Sequence, residues 1–123
     1  MKKVIVTGGA GFIGSNLVKK LLDLNVEKLL IIDDLSTGNE SNISSIVRDE
    51  RVQFLNSKIE DIENLNELFK DYDFCYHLAA GVGVQYIMDN LSESLLTNIL
   101  ATHRVLEACQ VNGLPVLLTS TSE

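Results

Sequence analysis

Eight residues that follow the first apolar run, Thr7-Gly8-Gly9-Ala10-Gly11-Phe12-Ile13-Gly14, are the ones most suited to holding a phosphate. Glycine stands where a chain must turn tightly, where a pyrophosphate must approach the backbone, and where a helix must pack closely on a strand. A helix opening here would present unpaired N–H groups and a positive dipole end to that anion. Asp33 lies 33 − 14 = 19 residues past Gly14, about the distance at which an acid ending the next strand meets an adenosine ribose. A carboxylate there accepts from a ribose 2′-OH and repels a 2′-phosphate, and no arginine lies in residues 34–38 to attract one. The pattern predicts a dinucleotide site that takes NAD in preference to NADP. The bland alternatives are a glycine turn with no ligand and a solvated charge at a strand end.

These residues need elements to place them, and the apolar pattern supplies a regular alternation. Val4-Ile5-Val6 is a short β-branched run of the kind that suits a strand buried on both faces. Ile13, Leu17, Val18, Leu21, Leu22 and Leu24 then recur at helical spacing over residues 12–24. Leu29-Leu30-Ile31-Ile32 repeats the strand signal and runs into Asp33-Asp34. Residues 35–50 are rich in Ser, Asn and Gly and predict a loop with one helical turn around 41–47. A third strand is expected at 52–55, and a helix at 61–70 with Asp61 as its N-cap. A fourth strand is expected at 74–78, a long helix at 91–111 stopped by Gly113, and a fifth strand at 115–119. Strand alternating with helix throughout predicts an α/β, Rossmann-type doubly wound parallel sheet.

Length and composition agree with one compact domain over residues 1–123. A net charge of −7 with scattered basic residues argues against a nucleic-acid partner. No apolar run reaches the roughly 18 residues that a membrane span needs, and Met1-Lys2-Lys3 runs directly into strand-like sequence rather than a signal peptide. Cys75 and Cys109 fit no disulfide framework or metal-ligand spacing and are read as reduced, buried thiols of a cytoplasmic protein. No metal site is expected: His77 closes an apolar strand as a packed core residue, and His103 lacks a partner ligand nearby.

Four motifs now stand in order: Thr7-Gly8-x-x-Gly11-x-x-Gly14, Asp33-Asp34-Leu35-Ser36-Thr37-Gly38, His77-Leu78-Ala79-Ala80, and Leu118-Thr119-Ser120-Thr121-Ser122-Glu123. The chain resembles, over its whole length, the extended short-chain dehydrogenases that act on nucleotide sugars as NAD-dependent epimerases, dehydratases and decarboxylases. The resemblance implies five strands in the order 3-2-1-4-5. It implies that Gly8, Gly11, Phe12, Ile13 and Gly14 line the pyrophosphate, that Asp33 and Asp34 hold the adenosine ribose, and that Ser36, Thr37 and Gly38 close over it. Leu78, Ala79 and Ala80 would run beside the nicotinamide ribose, with Asn98 and Thr119 near the cofactor. Thr121 would hydrogen-bond the substrate oxygen being oxidised.

Three departures stand out. The family's Gly-Asp-Ile after strand three is here Ser57-Lys58-Ile59. A lysine cannot accept from the adenine amino group, so adenine recognition would fall to Ile59 packing or to Asp61. The helix motif Asn-x-x-Gly-Thr reads Asn98-Ile99-Leu100-Ala101-Thr102. The Tyr-x-x-x-Lys pair expected after Thr121 does not occur, so the sheet is expected to be truncated and the chain inactive alone, with the substrate lobe elsewhere.

In the family the tyrosine takes the proton of the sugar hydroxyl while NAD takes the hydride. Ser122-Glu123 resembles the UDP-glucuronate-decarboxylase-like members, where a carboxyl handles a proton beside the new ketone; a strand-end surface charge is the alternative for Glu123. Tyr86, in the loop after strand four, falls where family members touch substrate. The implied partner is a nucleotide sugar, a UDP-sugar foremost, and the rival reading is a non-catalytic dinucleotide-binding module. An apolar fifth strand at the sheet edge seeks a partner, and so homodimerisation is expected there or through the helix at 91–111.

Overall fold

The computed structural model describes residues 2–36, 38–79 and 91–119, with the backbone alone for 91–98. Its strands are β1 (Lys3–Thr7), β2 (Lys28–Asp33), β3 (Val52–Asn56), β4 (Phe74–His77) and β5 (Val116–Leu118). Its helices are α1 (Phe12–Asp23), the single turn α2 (Leu65–Leu68) and the long α3 (Leu91–Asn112). The strands form one sheet in the order β3-β2-β1-β4-β5, every neighbouring pair parallel. Both the expected order and the doubly wound class hold.

The strands form because their residues can be buried on both sides. Val4, Val6, Leu29 and Ile31 face α1, packing with Val18, Leu21, Ile43 and Ile46. Ile5, Leu30 and Ile32 point the other way, into Leu65, Phe69, Ala101, Val105 and Ala108 from α2 and α3. Successive side chains of one strand thus serve two separate cores. Every residue from Leu29 to Ile32 is at most 1% exposed, which is why the run reads as continuous rather than alternating.

The register pairs Thr7 with both Ile32 and His77, and Asp33 with Asn56. The carboxyl ends of the strands are therefore level along one rim. Strand order reverses between β1 and β4, the place where doubly wound sheets open a crevice for ligands.

Two local expectations change. The turn at 41–47 is two short 3-10 turns, Glu40–Asn42 and Ile46–Arg48. The predicted helix at 61–70 is a 3-10 turn, Ile59–Asp61, followed after a break by α2, whose N-cap position is Asn64 rather than Asp61. The start of this stretch is held from outside it. Arg104 of α3 donates from Nη1 to the Ile59 carbonyl at 2.7 Å and from Nη2 to the Ile62 carbonyl. In a helix over 61–70 the Ile62 carbonyl would have accepted the Asn66 N–H. The far end of α3 behaves as expected: Gly113 takes φ +67 and Leu114 N–H returns to the Cys109 carbonyl at 2.8 Å.

Replacing Arg104 by Leu leaves both carbonyls without that charged donor. Urea denaturation is expected to show a loss of about 1–3 kcal/mol, and an unchanged midpoint would mean that water replaces the guanidinium at no cost.

Candidate functional site

The glycine loop leaves β1 at the rim and turns directly into α1. Gly8 takes φ +78, and a Cβ on it would lie 2.9 Å from Ala79 N and from Leu78 C. Gly14 is tighter still, because a Cβ there would sit 2.1 Å from the Gly8 carbonyl oxygen. No rotation of a side chain relieves a clash with backbone. At Gly11 a Cβ would meet nothing closer than Gly8 O at 3.4 Å, so the outer face of the loop is open, as an approaching pyrophosphate requires.

Gly11 is also the N-cap of α1. It supplies no side-chain cap, and no acidic residue lies in the first turn. Ser15 Oγ and Asn16 Nδ2 both donate to the Phe12 carbonyl and leave the leading N–H groups alone. Among the described residues no side chain compensates the positive end of this 12-residue helix. Phe12 and Ile13, at that end, are 82% and 66% exposed.

What holds the loop in this shape is Asp33. It ends β2 and is 8% exposed, so it is not a solvated strand-end charge. Its Oδ2 accepts from Ala10 N at 2.9 Å and its Oδ1 from Leu35 N at 2.8 Å. Leu35 takes φ +63, a left-handed conformation that costs an L-residue about 1–2 kcal/mol. The carbonyl of Ala10 is held in turn by Asn39 N at 3.0 Å and Asn42 Nδ2 at 2.9 Å. Asp34 Oδ1 accepts from Ser36 N, and a Cβ on Gly38 would come within 3.0 Å of Ala10 backbone. The glycine loop and the segment after β2 are therefore built as one unit around the Ala10 peptide. A carboxylate offers about four acceptor positions, and the described residues use two of these.

A second buried network closes the other side. Thr7 Oγ1 accepts from Leu78 N at 3.0 Å and Ala79 N at 3.1 Å, and meets His77 Nδ1 at 2.7 Å. His77 Nε2 lies 3.1 Å from Thr102 Oγ1 on α3. His77 is 2% exposed, and burial lowers its pKa to about 4, so the ring is neutral at ordinary pH. It is a packed histidine, as expected, but one whose two nitrogens are both engaged.

The remaining predicted residues are placed unequally. Ser36 and Lys58 are exposed on the rim side, and Thr119 is exposed just beyond β5. Ile59 is 4% exposed, with its side chain in the core against α2 and α3; its neighbour Asp61 is exposed. Asn98 lies in α3 four residues before Thr102, with backbone alone described. Thr37, Ala80, Tyr86, Thr121, Ser122 and Glu123 fall outside the described residues. Cys75 and Cys109 are free and buried together in one core, and their mutual hydrogen bond, with burial, holds the Cys75 thiol above its ordinary value. Among the described residues no cluster of metal-ligating side chains occurs. No residue pattern signalled Ala10, Asn39, Asn42 or Arg104, because their work is done on backbone atoms brought in by the fold.

With this geometry in view, the match to known proteins is decisive. Residues 5–123 fit the family model described as GDP-mannose 4,6 dehydratase. The chain belongs to that family. It thereby joins the extended short-chain dehydrogenases whose relatives include nucleotide-sugar epimerases, dehydratases and decarboxylases. It is 32% identical over 121 residues to UDP-glucuronic acid decarboxylase 6 of Arabidopsis thaliana, covering 98% of this chain and 34% of that protein. Its fold superposes with a TM-score of 0.87 on an epimerase of Methanothermobacter thermautotrophicus, 38% identical, covering 98% of this chain and 35% of that one. A dTDP-glucose 4,6-dehydratase of Streptomyces venezuelae, solved with NAD bound, gives a TM-score of 0.83 at 30% identity, covering 91% of this chain and 37% of that one. The chain thus spans about a third of the length of these family members.

If Asp33 braces the loop as well as facing the ligand, Asp33→Asn should lower stability with no ligand present. An amide puts an NH₂ against the Ala10 or Leu35 N–H, and the expected loss is about 1–3 kcal/mol by thermal or urea unfolding. A variant as stable as the parent would reduce Asp33 to a ligand-facing residue alone.

Proposed function

We propose that this chain is the NAD-binding part of a nucleotide-sugar epimerase, dehydratase or decarboxylase that oxidises the sugar C4 hydroxyl. The observation that carries the reading is the open, uncapped N-terminus of α1 beside a buried acid at the end of β2. Gly8, Gly11, Phe12, Ile13 and Gly14 would border the pyrophosphate, their backbone N–H groups donating to it. Asp33 would accept from the adenosine ribose hydroxyls with its spare lone pairs, and Asp34, Ser36, Thr37 and Gly38 would flank that ribose. Lys58 and the Ile59 backbone would border the adenine. Leu78, Ala79, Ala80, Asn98 and Thr119 would border the nicotinamide end.

When bound, NAD supplies a hydride acceptor that can later return the hydride. The chain's own part is to orient it, to exclude water on the sheet side, and to hold the sugar oxygen through Thr121. Ser122 and Glu123 would manage a proton at the neighbouring carbon, which favours the decarboxylase-like or dehydratase-like reaction and a UDP-sugar. The rest of the activity would lie in sequence matching the other two thirds of the relatives, residues 1–123 forming one domain. Ile99, Leu100, Leu106 and Val111 are exposed along α3, and Leu117 and Leu118 along β5; these support a homodimer or cover by sequence matching the rest of the relatives. A cytoplasmic setting fits the two reduced thiols.

Calorimetric titration tests the reading. NAD is expected to bind with a preference over NADP of about tenfold or more, worth about 1.4 kcal/mol, because Asp33 repels a 2′-phosphate. Equal affinity for the two would remove the role given to Asp33. Binding of NAD that improves in Lys58→Asp would place Lys58 at the adenine, and binding of neither dinucleotide by either protein would contradict the proposal.

A further inference from the structure

The proton positions in the buried network follow from counting. A threonine hydroxyl has one hydrogen and two lone pairs. Two backbone donors, Leu78 N at 3.0 Å and Ala79 N at 3.1 Å, converge on Thr7 Oγ1. Both lone pairs are then in use, and the third neighbour, His77 Nδ1 at 2.7 Å, must receive the hydroxyl hydrogen. An Nδ1 that accepts is unprotonated. The single ring hydrogen is therefore on Nε2, where it donates to Thr102 Oγ1 at 3.1 Å. Every donor from the Leu78–Ala79 backbone to α3 points the same way.

The network has a mechanical consequence. The Leu78 and Ala79 backbone is fixed by Thr7 from one side, and the space a Gly8 Cβ would need is filled by Ala79 N and Leu78 C at 2.9 Å from the other. The first residues after β4 are thus set against the glycine loop by contacts that run back to the middle of a helix. Thr102 lies one turn beyond Asn98 on α3, so the same histidine ties the helix segment and the β4 rim into one frame.

We propose that Thr7, His77 and Thr102 form an ordered hydrogen-bond relay that positions the Leu78–Ala79 backbone for the nicotinamide end of the dinucleotide. His77 is then a positioning residue: it touches neither ligand nor reacting atoms and acts through Thr7. The inference rests on the dinucleotide reading above and assigns to His77 a task that reading leaves open.

The test separates the two ends of the ligand. NAD and ADP are titrated into the parent chain, His77→Phe and His77→Asn. Phe fills the ring volume but leaves the Thr7 hydroxyl hydrogen without an acceptor; Asn restores an acceptor oxygen near the Nδ1 position. His77→Phe is expected to lose about tenfold or more in NAD affinity while ADP affinity stays within about twofold, and His77→Asn to recover most of the loss. Equal losses for ADP and NAD would mean that the residue only supports the fold, and no loss for either would overturn the relay. A parent chain that binds ADP but not NAD would overturn the positioning role, while one that binds neither would overturn the dinucleotide reading and this role with it.

Nitrogen NMR of the parent chain decides the relay without any variant, including the case in which His77→Phe does not fold. At neutral pH, Nδ1 is expected to show the signal of an unprotonated ring nitrogen and Nε2 that of a protonated one. The opposite tautomer, or an averaged pair of signals, would overturn the proton order.

Discussion

The Ala10 peptide is the point on which the site depends. Its N–H is taken by the Asp33 carboxylate, and its carbonyl by Asn39 and Asn42 from the loop beyond. The glycines allow a turn too tight for any other residue, but permission is not instruction, since glycine also has the most freedom to lose on folding. The buried acid gives the instruction. By holding Ala10 and the strained Leu35 at once, Asp33 converts two flexible segments into one surface. A residue whose charge would serve a ribose is therefore also part of what makes the surface for the pyrophosphate.

That arrangement is available only because the sheet delivers its parts to one rim. Parallel strands in matching register put Thr7, Ile32 and His77 at the same level, with Asp33 one residue beyond, and burial on both faces keeps the strands from sliding. Ile5 and Val6 show why: neighbouring residues of β1 pack into different cores, so a shift of one residue would exchange both.

Sequence patterns spoke clearly where neighbours in the chain decide the outcome. Leu29 to Ile32 announces a doubly buried strand, and the spacing of Gly8, Gly11 and Gly14 announces the turn that the backbone makes. They were silent where a distant residue decides. Residues 61–70 carry a helical apolar pattern, yet Arg104, some forty positions later, holds the Ile59 and Ile62 carbonyls at the break before α2. His77 looked like a core residue and is one; that both its nitrogens are committed, to Thr7 and to Thr102, becomes visible only when β1, β4 and α3 are side by side. Asp33 was read as a ligand-facing acid, and its bracing role was hidden because it acts on a backbone N–H that no side-chain identity records. Family membership supplied what local pattern could not, namely that this surface sits in proteins about three times as long.

The central claim is that a dinucleotide lies across the Ala10-centred surface, and a map of backbone amide shifts during NAD titration tests it most directly. The account predicts the largest changes at Gly8, Gly11 and Gly14 and at Asp33 and Gly38, with smaller ones at Leu78 and Ala79. Changes gathered instead around the open cleft between Lys19, Asp23, Asp49 and Arg51, or spread without focus, would contradict it.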